Sequence, residues 1–349
     1  MHGASNAKMT SLRPRLKELN DNPYIDALRG LAILLVVFMH VPQYGFGQSI
    51  GGYYMEMAIL LAVPLFFFIS GLFVPLEITP PISIKKIGKR LHSILLPTFL
   101  IGGFYVLLNH IPVLDMLQDK FKAGYWFTIT LFEFFLIVDM LRLMACKSQK
   151  LFKVLLIGAC FVCYGLSMPT VQRMYGDMVI AHILGVAQWK YFIFFVLGMF
   201  VKHHAKMIYS DKGGVAIVIA FLIVYAANVI GDFQLNGLLY NINLLLKEIS
   251  IVLLAYYVFY TYRSKLSSQT RMGRWLSKIG TYTLEIYLIH YFVLPRNLNL
   301  LVDYSDLERN SLIAFLFLLV VTLGVVVVIY AVKVVLQCNV CIRRLIWNK

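Results

Sequence analysis

Charged side chains are scarce in this sequence. Asp, Glu, Lys and Arg make up 14% of its 349 residues, whereas hydrophobic residues make up 60%. Soluble domains carry about 25% charged residues, so a chain of ordinary soluble domains is excluded. Repeated apolar runs of about twenty residues instead predict an all-α, polytopic bundle of transmembrane helices. At 349 residues we expect one bundle of about ten helices and no separate soluble domain.

Cysteine is also scarce, with five residues in the whole chain. Cys160 and Cys163 lie in an apolar run, where a thiol behaves as a small hydrophobic side chain. Cys338 and Cys341 lie on a basic tail that we predict to be cytosolic, in a compartment that keeps thiols reduced. A single CxxC pair is a weak signal for a metal site. We therefore expect the chain to bind no metal.

Acidic residues are the rarer charge, because 17 Asp and Glu stand against 32 Lys and Arg. A basic excess can indicate nucleic acid binding, but cytoplasmic loops of membrane proteins are also enriched in cations. We favour the second interpretation and expect no nucleic acid partner. The first 23 residues are polar and basic without a short apolar core, which predicts that no signal peptide opens the chain.

Hydropathy predicts about ten spans. They cover residues 25–45, 53–75, 92–112, 125–144, 151–168, 182–201, 213–231, 240–262, 277–295 and 311–336. No internal repeat of fixed period and no low-complexity linker is evident, which predicts one domain. We divide the chain into a basic N-terminal segment (1–23), a transmembrane domain (24–337) and a C-terminal tail (338–349).

The distribution of Lys and Arg predicts the orientation. With the N-terminus inside, 24 of the 32 cations fall in cytoplasmic segments and 6 in outer loops. The outer cations are Lys120, Lys122, Arg173, Lys190, Arg296 and Arg309. This bias predicts a multi-pass protein of the cell (inner) membrane with both termini in the cytosol.

The first span carries two ionisable residues, Arg29 at its entry and His40 eleven residues later. Eleven residues amount to about 1100°, so the two side chains share one helix face, roughly 16 Å apart along the axis. Ionisable groups inside a span are costly and by default mark a functional site. Two simpler readings stay open: Arg29 forms an interfacial ion pair with Asp26, or His40 is a satisfied core histidine.

Other ionisable residues fall at similar depths on different helices. Glu133, Lys247, Glu285 and His290 lie in the middle or outer part of their spans, so they face one another, a wet cavity or a neighbouring helix as polar contacts. On the cytoplasmic side, a basic cluster suits an anionic ligand, although it is equally typical of an inside-positive loop. Its members are Arg29, Lys85, Lys86, Lys89 and Arg90. For Asp139 and Arg142 we prefer an interfacial ion pair.

Five segments in this order resemble one known family. They are YIDALRGLAILLVVFMH with Arg29 and His40, VPLFFFISGLFV with Phe67, Ser70 and Gly71, KRLHSILLPTF with Arg90 and Pro97, YWFTITLFEFFL with Trp126 and Glu133, and IGTYTLEIYLIHYFVL with Glu285 and His290. The chain resembles the acyltransferase-3 family, membrane enzymes that move acyl groups onto carbohydrates and other acceptors. The first and last segments together are the more specific part of the match.

The resemblance implies an acyl-CoA donor, most simply acetyl-CoA, as a substrate and no permanently bound cofactor. Arg29, Lys89, Arg90 and Ser70 would bind the donor, since a polyanionic nucleotide pairs with Lys and Arg through charge-assisted hydrogen bonds. The acceptor would be a carbohydrate or glycolipid hydroxyl at the lipid bilayer. The oligomeric state is not indicated by the sequence.

The same resemblance assigns roles at the reacting centre. Transfer to a hydroxyl needs a general base, and a histidine near its ordinary pKa can accept that proton. His40 would be this base, with transient acylation of its imidazole as the other possibility. Arg29 would position the donor or stabilise negative charge, and Glu133 or Glu285 would orient His40. Trp126, Glu285 and His290 would support the site.

Two other functions stay open. A transporter or flippase would use polar midplane residues to line a translocation path, although no inverted repeat is visible in the sequence. A sensor or scaffold would keep the fold without the chemistry. Transfer of a labelled acyl group from its donor separates the enzyme from both.

Overall fold

The computed structural model describes residues 23–48, 53–78, 84–175, 178–205, 210–230, 237–266 and 270–338. The predicted basic segment 1–23 and tail 338–349 lie outside these ranges, apart from their residues Pro23 and Cys338. Helices, joined by turns and short irregular segments, make up the described chain, and no strand occurs in it. The all-α class is therefore confirmed for this part of the protein.

Sixteen α-helices occur in the described ranges. They are α1 (Pro23–Gly45), α2 (Tyr53–Leu72), α3 (Ile84–Arg90), α4 (Leu96–Leu108), α5 (Val113–Gln118), α6 (Trp126–Met144), α7 (Gln149–Leu166), α8 (Pro169–Gln172), α9 (Val179–Ile183), α10 (Phe192–His203), α11 (Asp211–Ile230), α12 (Leu238–Thr261), α13 (Arg271–Thr281), α14 (Thr283–Val293), α15 (Tyr304–Arg309) and α16 (Ser311–Cys338). A wide π-helical turn, Leu91–Leu95, joins α3 to α4, so the helix continues without a break.

Six helical segments of the described chain are long and apolar enough to cross a membrane. They are Pro23–Gly45, Tyr54–Leu72, Lys85–Leu108, Gln149–Leu166, Leu238–Thr261 and Ser311–Leu336. The helices of the described chain are therefore those of a multi-pass membrane protein. The figure of ten spans and the cytosolic position of the termini stay predictions.

Two of the ten predicted spans are not single helices. The predicted span 182–201 is divided at Gly185, which adopts a left-handed conformation (φ +61°) between α9 and a 3₁₀ segment, Val186–Tyr191. The 12 residues of α10 that follow rise only about 18 Å, less than the roughly 30 Å hydrocarbon core. The predicted span 277–295 is likewise divided at Tyr282, between α13 and α14.

The last helix, α16, has an almost uniformly apolar sequence, yet only one of its faces is buried. Thr322, Ile329 and Lys333 on one face of α16 are buried, whereas Val320 and Val327 expose about two thirds of their surface (69% and 68%). The buried positions recur every four to seven residues, as one stripe of a helix does. One face therefore packs against protein, and the other is suited to lipid.

The chain forms two compact units. The first contains residues 1–33 and 205–283, and the second contains residues 34–204 and 284–349. In the first unit, the start of α1 approaches α13 at a pair of glycines. A Cβ on Gly30 would lie 2.2 Å from the backbone oxygen of Leu276, and one on Gly280 would lie 1.7 Å from that of Asp26. Only glycine permits this backbone contact.

The second unit contains a similar crossing of α2 and α10. A Cβ on Gly71 would lie 1.9 Å from the backbone oxygen of Phe195, and one on Gly198 would lie 2.1 Å from that of Phe68. Small residues allow membrane helices to approach closely, because backbone-to-backbone packing replaces the missing hydrophobic effect. This crossing fixes α2, the helix that carries Ser70.

We expect Gly71→Ala to lower the free energy of unfolding by about 1–3 kcal/mol, since the added methyl group overpacks the crossing. Thermal unfolding of the protein in detergent measures this effect. Gly158→Ala in α7 is the matched control, because a Cβ there meets no atom within 4 Å. That substitution should leave stability unchanged or raise it slightly. Equal effects of the two substitutions would contradict the packing role of Gly71.

Candidate functional site

His40 lies in the C-terminal half of α1, and each nitrogen of its imidazole has a partner. Nδ1 lies 2.9 Å from Oε1 of Gln43, three residues further along the same helix. Nε2 lies 3.2 Å from the hydroxyl oxygen of Tyr291 on α14. Because a side-chain amide oxygen only accepts hydrogen bonds, Nδ1 carries the proton. Nδ1 therefore donates to Gln43, and Nε2 lies within hydrogen-bond distance of the Tyr291 hydroxyl.

The neighbouring helix α14 supplies a second histidine to this cluster. His290 is fully buried, and its ring centroid lies 5.3 Å from that of His40 and 3.9 Å from that of Tyr291. Its Nδ1 lies 2.6 Å from the backbone oxygen of Tyr287 and donates to it. Nε2 of His290 has no hydrogen-bond partner among the described residues. The structure therefore brings His40 and His290 together, as polar groups of the same site.

A loop between α5 and α6 holds the tyrosines of α14 in place. The backbone oxygen of Gly124 accepts hydrogen bonds from the hydroxyls of Tyr287 (2.8 Å) and Tyr291 (3.2 Å). Gly124 has a φ of +97°, and a Cβ there would lie 2.3 Å from the ring of Tyr291. Glycine is required on both grounds. The preceding Lys122 and Ala123 also adopt left-handed conformations, each with a φ of 51°.

Lys122 stabilises this unusual loop from inside. Its side chain is buried, and its ammonium donates hydrogen bonds to the backbone oxygens of Leu117, Asp119 and His182. Burial lowers the pKa of this ammonium, and the carboxylates of Asp119 and Glu133 act against that shift. Three backbone acceptors and two nearby carboxylates compensate the cost of burying the charge.

Glu133 and Trp126 are placed beside this loop on α6. Oε2 of Glu133 accepts a hydrogen bond of 2.9 Å from the indole nitrogen of Trp189. Trp126 stacks on Tyr191 with ring centroids 5.7 Å apart and an interplanar angle of 23°. Both predicted site residues therefore contact the 3₁₀ segment Val186–Tyr191. This segment follows Gly185, the residue at which the predicted span 182–201 is divided.

We predicted that a carboxylate orients His40, but neither Glu133 nor Glu285 forms a hydrogen bond with it in the described part of the structure. Glu133 bonds to Trp189, and Glu285 forms an ion pair of 3.3 Å with Lys333, which is buried on α16. The orienting group that the structure places on Nδ1 of His40 is the amide of Gln43. The sequence shows this glutamine three residues after His40 on the same predicted helix, but our prediction of the site did not include it.

Arg90, a predicted donor ligand, belongs to a buried ion-pair cluster. Its guanidinium donates to Oδ2 of Asp139 at 2.7 Å and stacks over the ring of Phe135 at 4.3 Å. Arg142 donates to Oδ1 of the same carboxylate at 3.0 Å and to the backbone oxygen of Pro75. The predicted pair of Asp139 and Arg142 is therefore confirmed, and Arg90 joins it from α3.

The other predicted donor ligands differ in their surroundings. Lys89 is exposed on α3, as are Lys85 and Lys86. The hydroxyl of Ser70 donates to the backbone oxygen of Phe66 at 2.9 Å, within its own helix. In the first unit, Arg29 forms an ion pair of 2.9 Å with Asp26. This pair was one of our open readings, and it is present; the role of Arg29 toward the donor stays a prediction.

The described residues contain no group of three or more His, Cys, Asp or Glu side chains arranged to hold a metal ion. Comparison with known protein families gives one match. A family model described as an acyltransferase domain, that of the acyltransferase-3 family, matches residues 22–331. No curated protein and no solved structure matches the chain. The matched range includes His40 and its partners, as well as the ion-pair cluster around Asp139.

Proposed function

The chain belongs to the acyltransferase-3 family, and from this premise we propose which group it transfers and between which substrates. The protein is a membrane acyltransferase. The proposed donor is a cytosolic acyl-CoA, most simply acetyl-CoA. The proposed acceptor is a hydroxyl of an extracytoplasmic or lipid-linked carbohydrate, which makes the protein an O-acyltransferase of the cell membrane.

The observation that carries this proposal is the state of His40. Gln43 binds the protonated Nδ1, so in the neutral imidazole Nε2 is the nitrogen that can act as a base toward a hydroxyl. Tyr291 occupies that position in the structure with its own hydroxyl, 3.2 Å from Nε2. An acceptor hydroxyl would take the same place, within the hydrogen-bond distance that a general base requires.

The proposed reaction uses His40 to move one proton. Nε2 takes the proton of the acceptor hydroxyl as its oxygen attacks the carbonyl carbon of the thioester. The tetrahedral intermediate then collapses and the C–S bond breaks. The CoA thiolate leaves and takes the proton from the imidazolium, so that His40 is neutral again. In the second route that the sequence leaves open, the imidazole itself carries the acyl group between the two substrates.

The proposed donor site uses the basic end of α3. Lys89 is free in solvent to approach phosphate groups, and Arg90 keeps a quarter of its side chain exposed while it binds Asp139. Charge-assisted hydrogen bonds to phosphate are about twice as strong as neutral ones. By the predicted orientation this end of α3 lies on the cytosolic side, where acyl-CoA is made.

We expect Gln43→Leu to lower kcat of acyl transfer by about two- to tenfold, as one hydrogen bond of 0.5–1.5 kcal/mol that fixes the tautomer is lost. Gln43→Glu keeps an acceptor on Nδ1 and should restore the rate. The measurement is the initial rate of transfer at saturating donor, together with KM for the donor. A loss in Gln43→Glu as large as in Gln43→Leu would contradict the positioning role.

The proposed function is tested with acetyl-CoA labelled in its acetyl group, supplied to inside-out membrane vesicles that contain the protein and its native acceptors. Label that appears in carbohydrate or glycolipid, and that disappears in His40→Ala, supports the acyltransferase. Mass spectrometry of the labelled product identifies the acceptor. Movement of carbohydrate across the membrane without acylation would favour the transporter. Full labelling in His40→Ala would reject the assigned base.

A further inference from the structure

A cavity of about 370 Å³ lies beside the loop that holds Tyr291. Its walls come from that loop, from α8 and the turn after it, and from α9 and the turn after it. The residues that matter here are Lys120, Gln172, Arg173, Tyr175, His182 and Gly185. A volume of this size is within the range of small-molecule sites, about 300–1,000 Å³.

The charged side chains among the described residues that line the cavity are all cations. Lys120 and Arg173 each add a positive charge, and none of the described residues that line it is acidic. Both cations are exposed, so their heads are available to a ligand. Arg173 can bind a carboxylate or a phosphate through two parallel hydrogen bonds, and Lys120 can act as a point charge.

The walls of the cavity are held by hydrogen bonds to the backbone. Gln172 donates to the oxygen of Ser167 at 2.6 Å, and Tyr175 donates to the oxygen of Leu166 at 2.6 Å. On the other side, the buried ammonium of Lys122 donates to the backbone oxygen of His182. The cavity is therefore a preformed feature, as binding sites for small ligands usually are.

The same loop connects the cavity with His40. Lys120 lines the cavity, and four residues later Gly124 accepts the hydrogen bond of Tyr291, whose hydroxyl is the partner of His40. Among the lining residues, a Cβ on Gly185 would lie 4.0 Å from Oε2 of Glu133. The cavity thus shares a loop with Gly124, the partner of Tyr291, and lies beside Glu133, in loops that the Lys and Arg bias predicts to be outside.

We propose that this cavity is the acceptor subsite and that it binds a saccharide unit bearing a negative charge, either a carboxylate or a phosphate. The inference rests on the proposed function, because it takes the carbohydrate acceptor from there. It adds that the acceptor is recognised through Lys120 and Arg173.

The test measures binding to the purified full-length protein in lipid nanodiscs, without acyl-CoA, by titration calorimetry. The probes are cellobiuronic acid, cellobiose 6′-phosphate and cellobiose, three disaccharides that differ in one substituent. We expect at least one of the two anionic probes to bind about tenfold or more tightly than cellobiose, and added salt to weaken the difference. The tighter of the two identifies the anion as carboxylate or phosphate.

Variants separate the cavity from general charge effects. Lys120→Ala combined with Arg173→Ala should remove the preference for anionic probes. Arg309→Ala is the matched control, since Arg309 is an exposed cation of another predicted outer loop with 80% of its side chain accessible. It should bind all three probes as the wild type does. Equal binding of charged and neutral probes, no binding of either anionic probe, or a preference that survives the double substitution would overturn the proposal.

The result of this binding test does not depend on the result of the acyl-transfer assay. His40→Gln should bind the anionic probes with wild-type affinity, because His40 does not line the cavity. If acyl transfer depends on His40 but the probes show no charge preference, only the acceptor subsite is wrong. If the preference is found and no acyl transfer occurs, the proposed function fails while the anion site stands.

Discussion

Replacing His40 with glutamine is expected to lower the rate of acyl transfer by about 10²–10⁴-fold, the usual contribution of a positioned general base. Glutamine approximates the length of histidine and keeps a polar end near Gln43 and Tyr291, so the helix bundle should stay intact. Its amide nitrogen cannot take a proton from a hydroxyl near neutral pH. The loss should therefore appear in kcat, with little change in donor binding.

His203→Gln is the matched control for this experiment. His203 lies at the end of α10 and is bonded to Glu77 on the surface of the second unit, at 3.1 Å. The same substitution there should leave transfer at the wild-type rate. The measurement is the initial rate of acetyl transfer in vesicles with equal amounts of each variant. A rate in His40→Gln within threefold of the wild type would show that the imidazole does not act as the base.

Replacing Asp139 with alanine is expected to destabilise the protein by about 3–5 kcal/mol, the usual cost of leaving a buried charge without its partner. Asp139 is buried and binds Arg90 and Arg142 through its two oxygens. The side chain of Arg142 is only 8% exposed, so water cannot replace the carboxylate. The two guanidiniums would also repel each other once the charge between them is gone.

Thermal or detergent-induced unfolding measures the effect of Asp139→Ala. Asp306→Ala is the control, because Asp306 forms an exposed pair with Arg309 at 3.7 Å, and such pairs contribute little. Adding Arg142→Met to Asp139→Ala should recover part of the stability, since the unpaired buried charge is then removed. Full stability of Asp139→Ala alone would show that the cluster is solvated and not structural.

The sequence predicted the features that depend on local pattern. The spacing of Arg29 and His40 requires one continuous helix, and α1 runs without interruption over both residues. Asp139 and Arg142 are three residues apart on α6, so their ion pair also follows from helix geometry. The helical class followed from hydropathy alone.

The features that the sequence did not predict depend on contacts between distant segments. Arg90 and Asp139 are 49 residues apart, and Tyr291 and His40 are 251 residues apart, so no local pattern joins them. The division of the predicted sixth span at Gly185 depends on a left-handed residue that hydropathy averages do not register. The sequence analysis expects Glu133 or Glu285 to orient His40, whereas in the structure the neutral amide of Gln43 contacts its Nδ1.

The left-handed loop at Lys122, Ala123 and Gly124 has a consequence for the energetics of catalysis. Left-handed conformations cost a residue other than glycine about 1–2 kcal/mol each, and here two such residues precede the glycine. The folded protein bears that cost through the hydrogen bonds of Lys122, before either substrate arrives. The loop beside the proposed base is thus already formed when the substrates arrive, which is the condition under which fixed dipoles lower a barrier. The acceptor still has to displace the hydroxyl of Tyr291 from Nε2 of His40.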